Sequence, residues 1–339
     1  MLRYPAKPMD GPHTDPLATT LAGIELRNPI ILAAGTAGLV DDVAGVIDLT
    51  EVGALTTKSI TPLPRDGNDT WRVLPAGAAG MLNAVGLANP GLDAFLRDSA
   101  LKARSLPCRV FVSVAGFSID DFVQCAANID AFVGDCGGSG AANIYAIELN
   151  VSCPNVKTGT EFGHTPGLLA DLLGAVRPQV RNVKLFAKLS PATPDLMGVV
   201  RSACDNGADA ITLGNTYPAM AIDVETRRPS LSNTTGGLSG PALHPVSLKH
   251  VHDAYRRVML PRAEAKQRTV PIVGAGGVAA WQQGAAYVLA GATAFQMGTA
   301  LFADPRSPRQ VERGLRKWVG RQGVSNVGEL VGSVRLPGR

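Results

Sequence analysis

One thiol lies among polar side chains in residues 148–155, which read Glu-Leu-Asn-Val-Ser-Cys-Pro-Asn. The preceding apolar run predicts a strand that ends at Pro154, because proline has no backbone N–H to give to a sheet. A cysteine that ionises can act as a base, although most free cysteines are small buried hydrophobic residues. The asparagines and the serine of this stretch have no evident role in a core. They therefore favour a polar ligand bound beside Cys153.

Two lysines and two glycine-containing turns indicate where an anion would bind. Lys58 and Lys188 lie in or directly after apolar runs, and burial of an unpaired ammonium is costly, so both predict an anionic partner. Residues 274–277 (Gly-Ala-Gly-Gly) and the Gly298-Thr299 pair follow two later runs. Glycines let a ligand approach the backbone, and the start of a following helix attracts negative charge. The two turns together indicate a phosphorylated ligand, although either one alone is a weak signal.

Short apolar runs alternate with helix-compatible segments along the chain. The runs predicted as strands are Ile30–Ala33, Ala54–Thr57, Arg109–Val114, Ala146–Asn150, Leu185–Leu189, Ala210–Gly214, Pro271–Gly274 and Ala294–Met297. The segments predicted as helices are Asp41–Thr50, Pro90–Arg104, Ile119–Val133, Pro166–Arg181, Pro194–Asn206, Pro245–Val258, Ala279–Ala290 and Ser307–Gly320. Eight such pairs without a break in composition predict an α/β fold, a (β/α)8 TIM barrel, in preference to an open doubly wound sheet. No G-x-G-x-x-G follows the first run, so the dinucleotide-binding fingerprint is absent.

Three connections exceed the usual two to six residues, namely Ser59–Asn89, Ser152–Thr165 and Asn215–His244. All three follow strands, on the side where a barrel builds its active site. They predict a lid and walls over a small ligand, with disordered insertions as the alternative. The charged insertion Ala263–Thr269 lies on the opposite face and is predicted to be solvated surface.

Composition excludes several other classes of protein. The chain of 339 residues is 45% hydrophobic with a net charge of +4, and its basic residues form no stripe with interleaved aromatics, which argues against a nucleic-acid groove. Five cysteines without a C-x-x-C pair predict reduced thiols in the cytoplasm and no metal site. No apolar run approaches the ~20 residues of a membrane span. The predicted domains are a flexible arm (1–17), a barrel (18–330) and a tail (331–339).

The motifs IELNVSCPNVKTG, NAVGLANPGL, SNTTGGLSGPA, PIVGAGG and GTALFADP resemble those of the class 1 dihydroorotate dehydrogenases. These are FMN enzymes of pyrimidine synthesis, and the resemblance covers about residues 18 to 330. The sequences N-V-K-T-G and T-G-G-L-S-G are most similar to the NAD-linked branch. That branch pairs its flavin subunit with a separate subunit that carries FAD and a [2Fe–2S] cluster. The resemblance therefore implies dihydroorotate as substrate, such a partner, and a homodimer or heterotetramer.

Carried over by position, the resemblance implies that Cys153 is the general base, which takes a proton from substrate C5 while a hydride leaves C6. The substrate would lie among Lys58, Asn83, Ala84, Val85, Gly86, Leu87, Asn150, Asn155, Asn215 and Thr216. The FMN would contact Ala34, Lys58, Ser59, Ser113, Asn150, Lys188, Gly214, Gly240, Gly276, Gly277, Gly298 and Thr299, with Lys188 stabilising the negative charge of the reduced flavin.

The chain departs from the family pattern at two predicted flavin contacts. Ala34 stands where Ser is common, and Ser113 stands where the NAD-linked branch usually has Asn. Three alternatives stay open at this point: a flavin oxidoreductase for dihydrouracil-like rings or another changed substrate, an FMN barrel acting on dihydrouridine in RNA, and a non-catalytic flavin-binding subunit. A basic groove would be needed for the second, while Cys153 and both lysines disfavour the third.

Overall fold

The fold is a closed parallel barrel surrounded by helices, in a computed structural model that describes residues 15–77, 80–151 and 161–337. The strands are β1 (Thr19–Leu21), β2 (Ile24–Leu26), β3 (Ile30–Leu32), β4 (Ala54–Thr56), β5 (Val73–Pro75), β6 (Met81–Asn83), β7 (Arg109–Val114), β8 (Ile144–Asn150), β9 (Lys184–Leu189), β10 (Ala210–Leu213), β11 (Tyr217–Ala219), β12 (Ile222–Asp223), β13 (Arg228–Pro229), β14 (Gly236–Ser239), β15 (Ile272–Ala275) and β16 (Ala294–Met297). Eight of them close in the order β3-β4-β7-β8-β9-β10-β15-β16. These are the eight strands predicted from the sequence, so the (β/α)8 barrel is confirmed.

The helices occupy seven of the eight predicted segments. They are α1 (Leu92–Asp98), α2 (Ile119–Asp135), α3 (Ser139–Ala142), α4 (Pro166–Val176), α5 (Leu196–Asp205), α6 (His244–Ala254), α7 (Leu260–Glu264), α8 (Trp281–Ala290), α9 (Ala300–Ala303) and α10 (Ser307–Gln322). The helix predicted over Asp41–Thr50 is wrong, since this segment forms turns that end in a short 3₁₀ helix at Leu49–Glu51. Gly45 and four β-branched residues within ten positions weaken a helix there. In the described part of the chain, no helix is long and apolar enough to cross a membrane.

A two-stranded hairpin closes the amino end of the barrel. Strands β1 and β2 pair antiparallel around Ala22 and Gly23, which both have positive φ, as a two-residue type I′ turn requires. The buried side chains of Leu21, Ile24 and Leu26 join one apolar cluster with residues from all eight barrel strands. The cluster fills the lower half of the barrel, so polar side chains are confined to its upper half.

An antiparallel sheet covers the carboxyl end. Its order is β11-β14-β6-β5, and its strands come from the two long connections Ser59–Asn89 and Asn215–His244. The buried side chains of Leu82, Ala84 and Leu231 form its own small core. These two connections are therefore ordered walls, as predicted, in place of disordered insertions. Most of the third connection lies outside the described residues.

The ends of the described chain lie against the barrel. Asp15 pairs with Arg316 of α10 at 2.9 Å, and Leu17 is fully buried, although both residues belong to the predicted arm. Beyond α10, the backbone N–H of Gly332 donates to a carbonyl of α8. The insertion before β15 is likewise attached, since Arg268 donates to the carbonyls of Cys204 and Ala208. All residues of Ala263–Thr269 are exposed, as expected of a solvated surface, and Arg268 also joins this segment to the barrel through these two hydrogen bonds.

Candidate active site

A cavity of about 750 Å³ opens at the carboxyl ends of the barrel strands, beneath the four-stranded sheet. This volume lies within the range of small-molecule and cofactor sites. Most of the predicted site residues line it: Ala34, Lys58, Ser59, Asn83, Val85, Gly86, Leu87, Asn150, Lys188, Gly214, Asn215, Thr216, Gly240, Gly276, Gly277, Gly298 and Thr299. The barrel thus brings together residues that are spread over more than 260 positions of the chain.

Two predicted residues do not line the cavity. Ser113 is fully buried beneath it, and its Oγ lies 2.8 Å from Oγ of Ser59. The side chain of Ala84 points into the core of the accessory sheet, because residues alternate between the faces of β6 and the loop that follows. Cys153 and Asn155 lie outside the described residues, so their predicted roles stay predictions.

Hydrogen-bonded carboxamides form one wall of the cavity. Nδ2 of Asn150 donates to Oγ of Ser59 at 3.2 Å, and Oδ1 of Asn150 accepts from Nδ2 of Asn215 at 3.1 Å. Oδ1 of Asn215 in turn accepts from the backbone N–H of Thr216 at 2.9 Å. These bonds fix which end of each amide is a donor and which is an acceptor. The wall therefore presents ordered polar groups from the carboxyl ends of β4, β8 and β10, which alternate with β7 and β9 around the barrel.

The two predicted lysines differ in their surroundings. Lys58 is half-buried in the cavity wall after β4. The side chain of Lys188 is only 8% exposed and lies 3.8 Å from Oε1 of Glu148, whose side chain is 1% exposed. The sequence argument that Lys188 needs the negative charge of a ligand is therefore corrected, because β8 supplies a carboxylate.

A buried polar layer at the floor of the cavity, of which Gln296 lines the cavity, was missed from the sequence. Glu148, Thr212 and Gln296 all point into the barrel and are linked by hydrogen bonds of 2.7 and 2.8 Å to Oε2 of Glu148. Each stands two residues before a predicted site residue, on a strand whose side chains alternate between the two faces. That spacing of two was the available signal, since it places all three on the inward face.

The loop at 83–89 is held by a buried carboxamide. Oδ1 of Asn89 accepts from the backbone N–H groups of Thr61 and Gly91, and its Nδ2 donates to the carbonyl of Leu87 and to Oγ1 of Thr61, at 2.8–3.2 Å. Leu87 has φ of 60°, a left-handed conformation that non-glycine residues rarely adopt. Asn89 therefore supports a strained turn that forms part of the cavity wall.

The glycine turns close the far end of the cavity. Gly276 and Gly277 have φ of 127° and 71°, which glycine adopts readily. Oγ1 of Thr299 lies 2.8 Å from Oγ of Ser239, so the turn after β16 is tied to the end of β14. A close backbone approach with hydroxyls beside it suits a phosphate group. The donors and acceptors of the amide wall and the two lysines suit a polar ring system, so the residues present fit a flavin mononucleotide.

Burial shifts the pKa of two cysteines and one histidine that lie outside the cavity. Burial raises the pKa of Cys108 and the pKa of Cys125 to about 12, so both stay protonated at neutral pH. Burial also lowers the pKa of His250, whose Nε2 lies 3.0 Å from the hydroxyl of Tyr217 at the start of β11. None of these three groups lines the cavity.

The fold and the site define a parallel (β/α)8 barrel protein with a ligand cavity of mixed amides and cations at its carboxyl end. The family model for dihydroorotate dehydrogenase matches residues 16–319. The chain belongs to the dihydroorotate dehydrogenase family.

Named relatives are similar in sequence to nearly the whole chain. Two catalytic subunits of dihydroorotate dehydrogenase B (NAD(+)) are similar, one from Trichlorobacter lovleyi at 36% identity over 94% of this chain and 98% of the relative, and one from Desulforudis audaxviator at 38% over 95% and 98%. A crystal structure of a dihydroorotate dehydrogenase from Eimeria tenella, in complex with ferulenol, has a TM-score of 0.76 at 22% identity and covers 96% of this chain and 91% of that one. The last comparison supports the fold alone.

Proposed function

We propose that this protein catalyses the FMN-dependent oxidation of dihydroorotate to orotate in pyrimidine biosynthesis. Membership of the family and the similarity to named dihydroorotate dehydrogenases support this proposal. The observation that carries it in the structure is the ordered amide wall, Ser59 to Asn150 to Asn215, beside Lys58 in one cavity. Alternating donors and acceptors match the alternating N–H and C=O groups on the edge of a dihydropyrimidine.

The residues of the cavity divide between substrate and cofactor. Lys58 supplies a cation for the carboxylate of dihydroorotate or for the flavin, while Asn83, Asn150 and Asn215 orient the ring. The glycine turns at Gly276 and Gly298 hold the phosphate of FMN, and the members of this family are flavoenzymes. When bound, FMN supplies the acceptor for the hydride that leaves C6.

Cys153 is the proposed base. It takes the proton from C5, so that the loss of a proton and a hydride leaves a C5–C6 double bond. A thiol with an ordinary pKa of about 8.5 is mostly protonated at neutral pH, so the rate should rise with pH as thiolate forms. Asn155, two residues later, is proposed to bind the same substrate.

The acceptor for the electrons is proposed to be NAD, reached through a partner subunit. The two relatives are catalytic subunits of NAD(+)-linked enzymes, which implies a separate electron-transfer subunit. We propose that this subunit carries FAD and a [2Fe–2S] cluster, in a cytoplasmic heterotetramer. Efficient reduction of NAD by the isolated chain would contradict this assignment, and efficient use of fumarate would place the chain in the other branch.

Anaerobic mixing of the FMN-loaded protein with dihydroorotate tests the proposed function. Flavin absorbance should fall with dihydroorotate and much more slowly with dihydrouracil, which lacks the carboxylate. Cys153→Ala should bind FMN normally yet reduce it roughly 10²–10⁴-fold more slowly, with no rise as the pH increases. Cys153→Ser should retain some activity and need higher pH. Faster bleaching by dihydrouracil would change the substrate, and a wild-type rate for Cys153→Ala would remove the base.

A further inference from the structure

A network of hydrogen bonds at the floor of the cavity fixes the orientation of Gln296, which lines the cavity together with Lys188. Its Nε2 donates to Oε2 of Glu148 at 2.8 Å, and its Oε1 accepts from Nζ of Lys188 at 2.9 Å. Oγ1 of Thr212 donates to the same Oε2 at 2.7 Å. Because the amide nitrogen is committed to the carboxylate, the amide oxygen must face the ammonium. One carboxylate therefore sets the position of Lys188 through an intervening amide.

The charges in this layer are compensated within the barrel. Oε1 of Glu148 is buried and accepts no hydrogen bond from the described residues, but it faces Nζ of Lys188 at 3.8 Å. Below it lies the apolar cluster that includes Phe111 and Phe186. A carboxylate in such surroundings is stabilised by hydrogen bonds and by an opposite charge, and the loss of one charged partner leaves the other uncompensated. Glu148 thus opposes the positive charge that Lys188 presents at the cavity floor.

We propose that Glu148 is a positioning residue that limits the affinity of the cavity for negatively charged ligands by drawing the charge of Lys188 into the barrel. The proposal rests on the proposed function in one respect, namely that the ligand above Lys188 is FMN. The reduced flavin carries more negative charge than the oxidised flavin, so Glu148 weakens the binding of the reduced form relative to the oxidised form.

Glu148→Gln tests the proposal, because it removes the charge and keeps the size of the side chain. The new amide oxygen still accepts from Thr212 and Gln296. The ratio of the dissociation constants of oxidised and reduced FMN should increase about tenfold, which for a two-electron couple is a midpoint potential about 30 mV more positive. The ratio comes from fluorescence titration of the apoprotein with FMN combined with redox titration against a reference dye.

Two variants separate charge from packing. Thr212→Val removes one hydrogen bond to Glu148 and no charge, so the ratio should stay within about twofold of wild type. The double variant Glu148→Gln/Gln296→Glu moves the carboxylate one position along the network, where it accepts directly from Lys188. The ratio should return to within about twofold of the wild-type value. The double variant also tests the proposal if the single variant fails to fold.

The outcomes are distinct from those of the proposed function. Failure of the wild-type protein to bind FMN would refute the proposed function. FMN binding with an unchanged or decreased ratio in Glu148→Gln would overturn the role of Glu148 alone, as would a tenfold shift in the double variant. A merely structural role would lower the unfolding midpoint of Glu148→Gln and leave the ratio unchanged.

Discussion

Asn89 should stabilise the protein and its substrate loop at the same time. Asn89→Ala removes the four hydrogen bonds of its buried carboxamide and leaves the N–H groups of Thr61 and Gly91 without acceptors. At about 1 kcal/mol net for each bond, the free energy of unfolding should fall by about 4 kcal/mol. Without this support Leu87 should leave its left-handed conformation, and KM for dihydroorotate should rise about tenfold, a loss of about 1.4 kcal/mol in binding.

Asn143 provides the matched control. Its buried Nδ2 donates to the carbonyls of Ala103, Leu106 and Cys108, at the amino end of β8 and therefore far from the cavity. Asn143 has φ of 56°, so glycine is the substitution that adds no backbone strain. Asn143→Gly should lower the unfolding free energy by about 2–3 kcal/mol and leave KM unchanged.

Urea unfolding of the two apoproteins, followed by tryptophan fluorescence, measures the first effect, and steady-state kinetics of the FMN-loaded proteins measures the second. The reasoning fails if the free energy of unfolding of Asn89→Ala falls by less than about 1 kcal/mol, because the loss of a buried carboxamide with four hydrogen bonds should destabilise the protein more than that. It also fails if Asn89→Ala and Asn143→Gly have the same KM, because the loop would then be fixed by other contacts.

Two further predictions concern packing and pH. Gly274→Ala should lower the free energy of unfolding by about 1–3 kcal/mol, because the added Cβ would collide with the ring of the fully buried Tyr287. Gly45→Ala is the control, since open space surrounds that position and no destabilisation is expected. Thermal unfolding of both variants measures the difference. Burial lowers the pKa of His244 and of His250 below the ordinary 6.5, with the carbonyl of Gln283 opposing the shift in the first and Asp253 opposing it in the second. The unfolded chain therefore binds more protons just below pH 6.5, so stability should rise with pH in that window and be lost as the pH falls. The urea midpoint between pH 5 and 7.5 should show this slope, and a His244→Asn/His250→Asn variant with an equal slope would assign it to other groups.

The barrel was predictable because its strands are short runs of branched and small apolar residues, such as Arg109–Val114, separated by helical segments. The amino-end hairpin was not, since Ala22-Gly23 is a weak turn signal compared with Asn-Gly. The accessory sheet was missed because its strands have only three or four residues and three of the four contain proline or glycine, which are rare in strand interiors. Such strands form only where the barrel rim brings their partners together.

The lining of the cavity was predictable where motif and backbone position agreed, as at Asn150 and Gly276. The polar layer was not predictable, because nothing in the sequence around Glu148 indicates which side chain it contacts. Gln296 follows it by 148 residues, and only closure of the barrel brings the two side chains together. The resemblance predicted Ser113 as a flavin contact because of its position in the sequence. In the structure Ser59 lies between Ser113 and the cavity, and the two hydroxyl groups contact each other instead.

The hairpin β1–β2 also determines the side from which ligands reach the cavity. Its leucines and isoleucine seal one end of the barrel, so molecules reach the cavity from the carboxyl end, past the four-stranded sheet. Substrate entry and product release then share one side of the molecule. A bound product would obstruct the next substrate, and any protein that docks over this rim to collect electrons must leave a passage for a small anion. Product must therefore leave through this opening before the next substrate can enter.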